Sequence, residues 1–124
     1  PKDLDAKRVI PLDVAGAFHS PVVSKAKKEV EKAIEQIDLN EGKFSVYMNI
    51  DAQIAELSTL KKRLVDQIDN SVMFYNQILN IEKFEKPDNW YHIGPGNVTA
   101  GMVKKSISSK SVKVVNSLNS LNDI

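Results

Sequence analysis

The chain has 124 residues, 42% of them hydrophobic and 27% charged, a composition typical of one globular domain. Its 17 Lys and Arg residues against 16 Asp and Glu give a formal charge of +1, which favours neither nucleic acid nor an anionic membrane as a partner. The absence of cysteine excludes disulfides, cysteine metal sites and a thiol nucleophile. The two histidines, His19 and His92, lie far apart without metal-ligand spacing, so we expect no metal, and we expect no other cofactor.

Segments that would direct the protein to a membrane are not visible. No apolar run approaches the roughly eighteen residues of a membrane span, and no signal peptide is recognisable. We therefore expect a soluble protein of the cytoplasm or, in a eukaryote, of a plastid or mitochondrion.

The hydrophobic pattern predicts short strands that alternate with amphipathic helices. This order is typical of an α/β protein with a partly parallel sheet flanked by helices. Four short strands would leave both sheet edges open, which suggests part of a larger sheet. The predicted strands are Arg8 to Val14, Phe44 to Ile50, Trp90 to Ile93 and Ser111 to Val115, and the predicted helices are Pro21 to about Asp38, Ile54 to Ile68, Phe74 to Phe84 and Val98 to Ile107, with a weak or frayed helix after Asn116.

His19 is the main candidate for chemistry. Ser20 is a favourable N-cap and Pro21 suits the first helical position, so His19 is predicted to lie just ahead of a helix N-terminus. The positive end of the helix dipole should favour the neutral imidazole there. A neutral imidazole can accept a proton at pH 7, as a general base must. Simple packing of the turn is the alternative.

A catalytic His19 needs a nucleophile and a group that orients its ring. The chain contains no G-x-S-x-G elbow. The hydroxyl of Ser20 is expected to face the helix terminus rather than to attack, and Asp13 is one alternative for the orienting group. We therefore predict that the nucleophile lies outside this sequence and that the chain forms half of an active site.

Other motifs carry weaker signals. The segment Gly94-Pro95-Gly96 lies between a strand and a helix, but it lacks the spacing of a phosphate loop and is interpreted as a structural turn. His92 is interpreted as a packed or surface residue, and a glutamine at position 67 is unremarkable alone. The basic clusters at 25–28, 61–63 and 104–105 are interpreted as solvated helix faces.

Four motifs in succession nevertheless carry a family resemblance, from about Ala6 to Asn116. The chain resembles the C-terminal part of malonyl-CoA:acyl carrier protein transacylases, whose motifs are shared by the acyltransferase domains of polyketide and fatty-acid synthases. The matching segments are Ile10-Pro11-Leu12-Asp13-Val14-Ala15-Gly16-Ala17-Phe18-His19-Ser20, Val46-Tyr47-Met48-Asn49-Ile50-Asp51-Ala52, Leu64-Val65-Asp66-Gln67-Ile68, and Ile93 to Lys105 around Gly94-Pro95-Gly96.

The resemblance implies an α/β-hydrolase-like large subdomain with a ferredoxin-like insertion. Residues 1–124 would form the C-terminal part of the large subdomain, without the insertion and the nucleophile-bearing part. His19 matches the family's catalytic histidine, and Gln67 matches the glutamine whose backbone carbonyl orients that histidine. This chain alone would be inactive.

The implied reaction belongs to fatty acid biosynthesis. A serine takes the malonyl group from coenzyme A, which is a substrate rather than a cofactor, and passes it to the phosphopantetheine thiol of acyl carrier protein. The implied partners are malonyl-CoA, acyl carrier protein and the remaining N-terminal part of the same enzyme.

Two alternatives remain at the level of sequence. The chain could belong to an acyltransferase domain of a polyketide or fatty-acid synthase that uses another acyl group, or it could be a non-catalytic interaction module. For docking of an acidic carrier protein, the candidate contacts are Lys61, Lys62, Arg63, Lys104 and Lys105.

Overall fold

The computed structural model describes residues 11, 13–108 and 110–121. Among these residues the helices occur in the predicted order, and two of the four predicted strands are present. In chain order they are a 3-10 helix (Pro21–Ala26), α1 (Lys27–Glu35), α2 (Leu57–Asp66), α3 (Phe74–Phe84), β1 (Trp90–Ile93), α4 (Val98–Ser106), β2 (Val112–Val115) and α5 (Leu118–Leu121). No helix in these residues is long and apolar enough to cross a membrane.

The two strands form a parallel pair, with Trp90 opposite Val112, and α4 is the crossover between them. The prediction of an α/β protein with parallel pairing is confirmed. Side chains of β1 alternate between the two faces of the sheet: His92 is half-buried, whereas Tyr91 and Ile93 are exposed. One face of this small sheet is therefore covered by helices and the other is open.

The apolar core lies between α3, α4 and β2. Ile78 of α3 is its most buried large side chain, with 1% of its surface exposed. The only polar side chain described as buried, that of Gln77, is satisfied because its Nε2 donates to the carbonyl of Tyr47 at 2.8 Å. The core residues are Ile78, Ala100, Val103, Ile107 and Val112.

The segment that carries His19 is packed differently. Neither the 3-10 helix nor α1 contains a buried residue, and α1 packs against α2. The predicted helix from Pro21 to about Asp38 thus begins as a tighter 3-10 turn and ends at Glu35. The Ser24 hydroxyl lies 2.7 Å from the Pro21 carbonyl three residues earlier, within this 3-10 turn.

The predicted strand from Phe44 to Ile50 is wrong. Its only ladder contact is an isolated antiparallel bridge between Tyr47 and Ile54. Phe44 is 85% exposed, so the pattern that resembled a half-buried strand has no neighbouring strand here. The loop is fixed instead by α3 and the residue before it, since the Met73 N–H donates to the Asn49 carbonyl at 2.7 Å.

The predicted strand from Arg8 to Val14 falls mainly outside the described residues. Of its described positions, Pro11, Asp13 and Val14 have no strand assignment. At the other end, the predicted helix after Asn116 is present as the single turn of α5.

Candidate active site

The ring of His19 is held by the end of α2. Its Nδ1 lies 2.9 Å from the backbone carbonyl oxygen of Gln67, 48 residues away in the sequence. Because a carbonyl can only accept, Nδ1 must carry the hydrogen and donate it. The basic lone pair is then on Nε2, and His19 as a residue is exposed to solvent.

The backbone of His19 is fixed at the same place. Its φ angle is 58°, in the left-handed region that histidine enters more often than most residues. Its N–H donates to the carbonyl of Ile68 at 3.2 Å. Two successive carbonyls therefore hold one residue, one through the ring and one through the main chain, and they maintain a conformation that is costly by itself.

These carbonyls are available because they lie at the C-terminus of α2. Gln67 is the C-cap, and the last carbonyls of a helix have no partner within the helix. The N–H groups of His19 supply that partner. The C-terminus of a helix is also the negative end of its dipole, so it interacts favourably with positive charge on a nearby imidazole.

The side chain of Gln67 also approaches the ring. Its Nε2 is 3.3 Å from Nδ1 of His19, while its Oε1 is buried without a hydrogen-bond partner. Two N–H groups cannot bond each other, so the amide orientation that suits this contact places Oε1 beside the Nδ1 hydrogen. The carbonyl at 2.9 Å nevertheless remains the shorter contact.

A cluster of ion pairs lies beside this contact. The Lys27 ammonium is 2.8 Å from Asp66 and 3.1 Å from Asp69, and the Ser24 hydroxyl donates to Asp69 at 2.8 Å. Lys62 pairs with Asp66 from within α2.

The hydrogen bonds of the cluster shift the ionisation of its members. The bonds from Lys27 and then Lys62 lower the pKa of Asp66, and the bonds from Ser24 and then Lys27 lower the pKa of Asp69. The same two carboxylates raise the pKa of Lys27. All three groups therefore keep their charges over a widened pH range.

The other sequence candidates do not join His19. The hydroxyl of Ser20 donates to the Ala17 carbonyl at 2.6 Å, and the predicted side-chain cap of Ser20 is absent. Asp13 is exposed, and Gln67 rather than Asp13 bonds Nδ1. His92 is half-buried, with its Nδ1 2.6 Å from the Thr99 hydroxyl.

The remaining motifs have structural explanations. Gly94 and Gly96 have φ angles of 140° and 77°, which require glycine and agree with the interpretation of a structural turn. Over the part of the chain that the structure describes, no group of three or more His, Asp or Glu side chains could hold a metal ion.

The basic residues divide into two groups. Arg63 is largely buried, pairs with Asp51 and donates to the Ile54 carbonyl at 2.8 Å. Lys27, of the cluster at 25–28, is ion-paired and only 27% exposed. The interpretation as a solvated face is therefore wrong for both. Lys61 donates to the Glu35 carbonyl at 3.1 Å. Lys104 and Lys105, in the last turn of α4, are exposed.

The fold is shared with known enzymes. The structure superposes on the malonyl-CoA:acyl carrier protein transacylase of Streptococcus pneumoniae with a TM-score of 0.91 and 26% identity, over 98% of this chain and 40% of that one. A second similar chain comes from a structure of a malonyl-transacylase in complex with its type II PKS acyl-carrier protein. It gives a TM-score of 0.91 and 28% identity, over 98% of this chain and 39% of that one. The chain thus has the fold of an α/β acyltransferase.

Comparison of the sequence with known proteins agrees with the structural comparison. The chain is 33% identical over 124 residues to the malonyl-CoA:acyl carrier protein transacylase of Staphylococcus aureus, a match that spans 99% of this chain. The resemblance to the malonyl-CoA:acyl carrier protein transacylase family is therefore confirmed. The chain spans about two fifths of that relative, 39% of its length. No protein-family model matches the chain.

Proposed function

We propose that this chain is part of a malonyl-CoA:acyl carrier protein transacylase and supplies its general base. His19 is that base, and the carbonyl of Gln67 orients it. The contact of 2.9 Å between Nδ1 and this carbonyl carries the proposal, because it joins the two residues that the family resemblance assigns to these roles. It also fixes the tautomer in which Nε2 can accept a proton.

In the first half-reaction, a serine from another segment attacks malonyl-CoA. Nε2 of His19 takes the serine hydroxyl proton as the oxygen adds to the thioester carbonyl carbon. The tetrahedral intermediate then collapses, its carbon–sulfur bond breaks, and the proton on Nε2 passes to the departing thiolate. The products are the malonyl-serine ester and free coenzyme A.

The second half-reaction uses the same nitrogen. The phosphopantetheine thiol of acyl carrier protein gives its proton to Nε2, and its sulfur adds to the ester carbonyl. When the carbon–oxygen bond breaks, the proton returns to the serine oxygen. The histidine ends neutral, as it began, and the malonyl group is carried as a thioester on acyl carrier protein.

Each half-reaction passes through a cationic imidazole, which an orienting carboxylate would normally stabilise. Here the orienting group is a neutral carbonyl. The C-terminal end of α2 adds the negative end of a helix dipole at the same position, which partly compensates for the missing charge.

The nucleophile is proposed to come from the N-terminal part of the same enzyme. The 124 residues hold no G-x-S-x-G elbow, and the hydroxyl of Ser20 is used locally. We therefore propose that this chain alone does not turn over malonyl-CoA. The transfer needs the missing serine and the groups that bind the malonyl carboxylate.

The direct test replaces His19 by Asn in the intact protein, because asparagine tolerates the left-handed backbone at this position. We expect the rate of serine acylation by malonyl-CoA, followed by mass spectrometry, to fall by roughly 10²- to 10⁴-fold. The matched control is Gln67→Ala, which keeps the backbone carbonyl and should leave most of the rate.

Acylation of His19→Asn at the parental rate would contradict the role of base. A loss in Gln67→Ala as large as that in His19→Asn would move the orienting role from the carbonyl to the side chain. A parallel assay with acetyl-CoA separates malonyl transfer from transfer of an unsubstituted acyl group.

The carrier protein is proposed to dock near the end of α4. Acyl carrier protein is an acidic partner in this proposal, and Lys104 and Lys105 are the exposed cations of the predicted set that no described carboxylate pairs with. The double change Lys104→Glu and Lys105→Glu should weaken carrier-protein binding, most strongly at low salt.

Its control is the double change Lys28→Glu and Lys32→Glu on α1, which alters the charge equally at exposed positions. Equal loss of affinity in both double variants would indicate a non-specific charge effect. Unchanged affinity in the α4 variant would remove this docking site.

A further inference from the structure

Four polar side chains form a clasp between the 3-10 helix with the start of α1 and the end of α2. The clasp consists of Ser24 and Lys27 on one side and of Asp66 and Asp69 on the other. Lys27 bridges both carboxylates at 2.8 and 3.1 Å, and Ser24 donates to Asp69 at 2.8 Å. Only 27% of the Lys27 side chain and 16% of the Asp69 side chain are exposed, so water screens these contacts incompletely.

The clasp brackets the contact that holds His19. Asp66 directly precedes Gln67, and Asp69 directly follows Ile68, so the two carboxylates flank the two carbonyls that bind His19. On the opposite side, Ser24 and Lys27 follow His19 by five and eight residues. The same two backbone segments are therefore joined twice, once by the histidine and once by the clasp.

Apolar packing between these segments is limited, although α1 packs against α2. The 3-10 helix and α1 bury no residue. The main-chain bond from His19 to Ile68 is long, at 3.2 Å. Further polar contacts between the segments would therefore help to set the distance, and at a catalytic group a shift of about 1 Å would be costly in rate.

We propose that the clasp positions His19, with Lys27 as its central positioning residue. Lys27 holds the end of α2 at the distance at which the Gln67 carbonyl accepts the Nδ1 hydrogen, and it thereby keeps the reactive lone pair on Nε2. The catalytic meaning of this role rests on the proposed function, but the effect of Lys27 on the His19 tautomer does not.

The chain offers a control on the same carboxylate. Lys62 also pairs with Asp66, but it lies on α2 itself, four residues away, and its side chain is 80% exposed. Removing Lys62 deletes an ion pair to Asp66 without disconnecting the two segments. Removing Lys27 breaks the ion pairs between the two segments and leaves Asp66 and Asp69 without their shared cation.

The experiment compares Lys27→Met with Lys62→Met in the intact protein labelled with ¹⁵N-histidine, with the His19 signals assigned from the His19→Asn variant. In the parent and in Lys62→Met, the ¹⁵N NMR signals of the His19 ring should show the hydrogen on Nδ1. In Lys27→Met, a substantial fraction of the molecules should have the other His19 tautomer, with the hydrogen on Nε2. We expect kcat to fall by roughly 10- to 100-fold, with the KM for malonyl-CoA nearly unchanged.

Two further variants keep the proposal testable if Lys27→Met does not fold. Lys27→Arg retains a cation that can bridge both carboxylates and should restore the parental tautomer. Ser24→Ala removes one bond of the clasp without leaving an unpaired charge and should shift the tautomer in the same direction as Lys27→Met, to a smaller extent.

A parental tautomer in both Lys27→Met and Ser24→Ala would overturn the proposal, as would an equal shift in Lys62→Met. If the tautomer moves as expected but His19→Asn still acylates its serine normally, the clasp stands and the proposed catalytic function fails. The two ideas are therefore tested separately.

Discussion

Two regions of this molecule are held together by different forces. The region from α3 to β2 is organised around an apolar core, in which Ile78, Val103 and Val112 belong to one cluster of buried side chains. The region from Asp13 to Glu35, which carries His19, buries no apolar side chain in its helices and is attached to α2 by hydrogen bonds and ion pairs. Stability is concentrated in the first region and the candidate chemistry in the second.

This difference has a physical basis. Apolar burial is strong but has little directional preference, so it fixes a fold better than it fixes the angle of one ring. Hydrogen bonds and short ion pairs are directional and place individual atoms. A site built on them can be precise although little of it is buried, and mutations in the two regions should have separable effects.

The largest expected effect is a loss of stability in the apolar core that leaves the geometry at His19 unchanged. Ile78→Ala removes a fully buried side chain and should lower the free energy of unfolding by about 2–5 kcal/mol, measured by chemical denaturation. At temperatures where the variant is folded, the ring nitrogens of His19 should report the parental tautomer. Leu79→Ala, at the neighbouring and partly exposed position of α3, is the control and should cost less. A changed His19 tautomer in folded Ile78→Ala would show that the two regions are not separable.

A smaller effect concerns the response of the second region to pH. Because the folded pKa of Asp69 lies below 3.8, its stabilising effect is complete above the unfolded pKa and is lost as the pH falls through the folded value. The contribution of Lys27 to stability depends on pH in the opposite direction. It is complete below the unfolded pKa of 10.5 and is lost as the pH rises through the raised folded pKa.

The variant Asp69→Asn isolates the acidic limb. It should be less stable than the parent at neutral pH, and its stability should fall less steeply below pH 3.8. Thermal unfolding across this range, with Glu29→Gln on exposed α1 as the control, measures the difference. An unchanged acidic limb would mean that Asp69 gains little from the clasp.

The smallest effect is expected at Ser20. Its hydroxyl is bonded to the Ala17 carbonyl, so Ser20→Ala should change the free energy of unfolding by no more than about 0.5 kcal/mol and leave serine acylation near the parental rate. Complete loss of acylation in a folded Ser20→Ala variant would identify Ser20 as a nucleophile and contradict the need for a second segment.

The sequence predicted the fold wherever a segment's own pattern decided its structure. Both described strands and the helices α2, α3 and α4 lie within the predicted segments, because their apolar periodicity matches the faces they bury. The segment from Phe44 to Ile50 was mispredicted because β-branched and aromatic residues indicate a strand only where a neighbouring strand exists to pair with.

The candidate site was less accessible to sequence reasoning. His19 stood out by its local setting, but Gln67 drew attention only through the family resemblance, since it bonds His19 through its backbone, which every residue possesses. The clasp was not predicted at all. Lys27 and Ser24 are separated from their carboxylate partners by 39 to 45 residues. A lysine within a basic cluster, or an aspartate near a helix end, gives no sign of a distant partner.

The unpaired edges and the exposed face of the two-stranded sheet affect how this chain behaves in solution. Ile93 is 78% exposed at the end of β1, and among the described residues each strand has a neighbour on one side only. Unpaired edges beside bare apolar side chains recruit other strands. Preparations of the isolated 124 residues should therefore self-associate as concentration rises, and adding the N-terminal part that we propose completes the enzyme should suppress that tendency more effectively than a change of buffer.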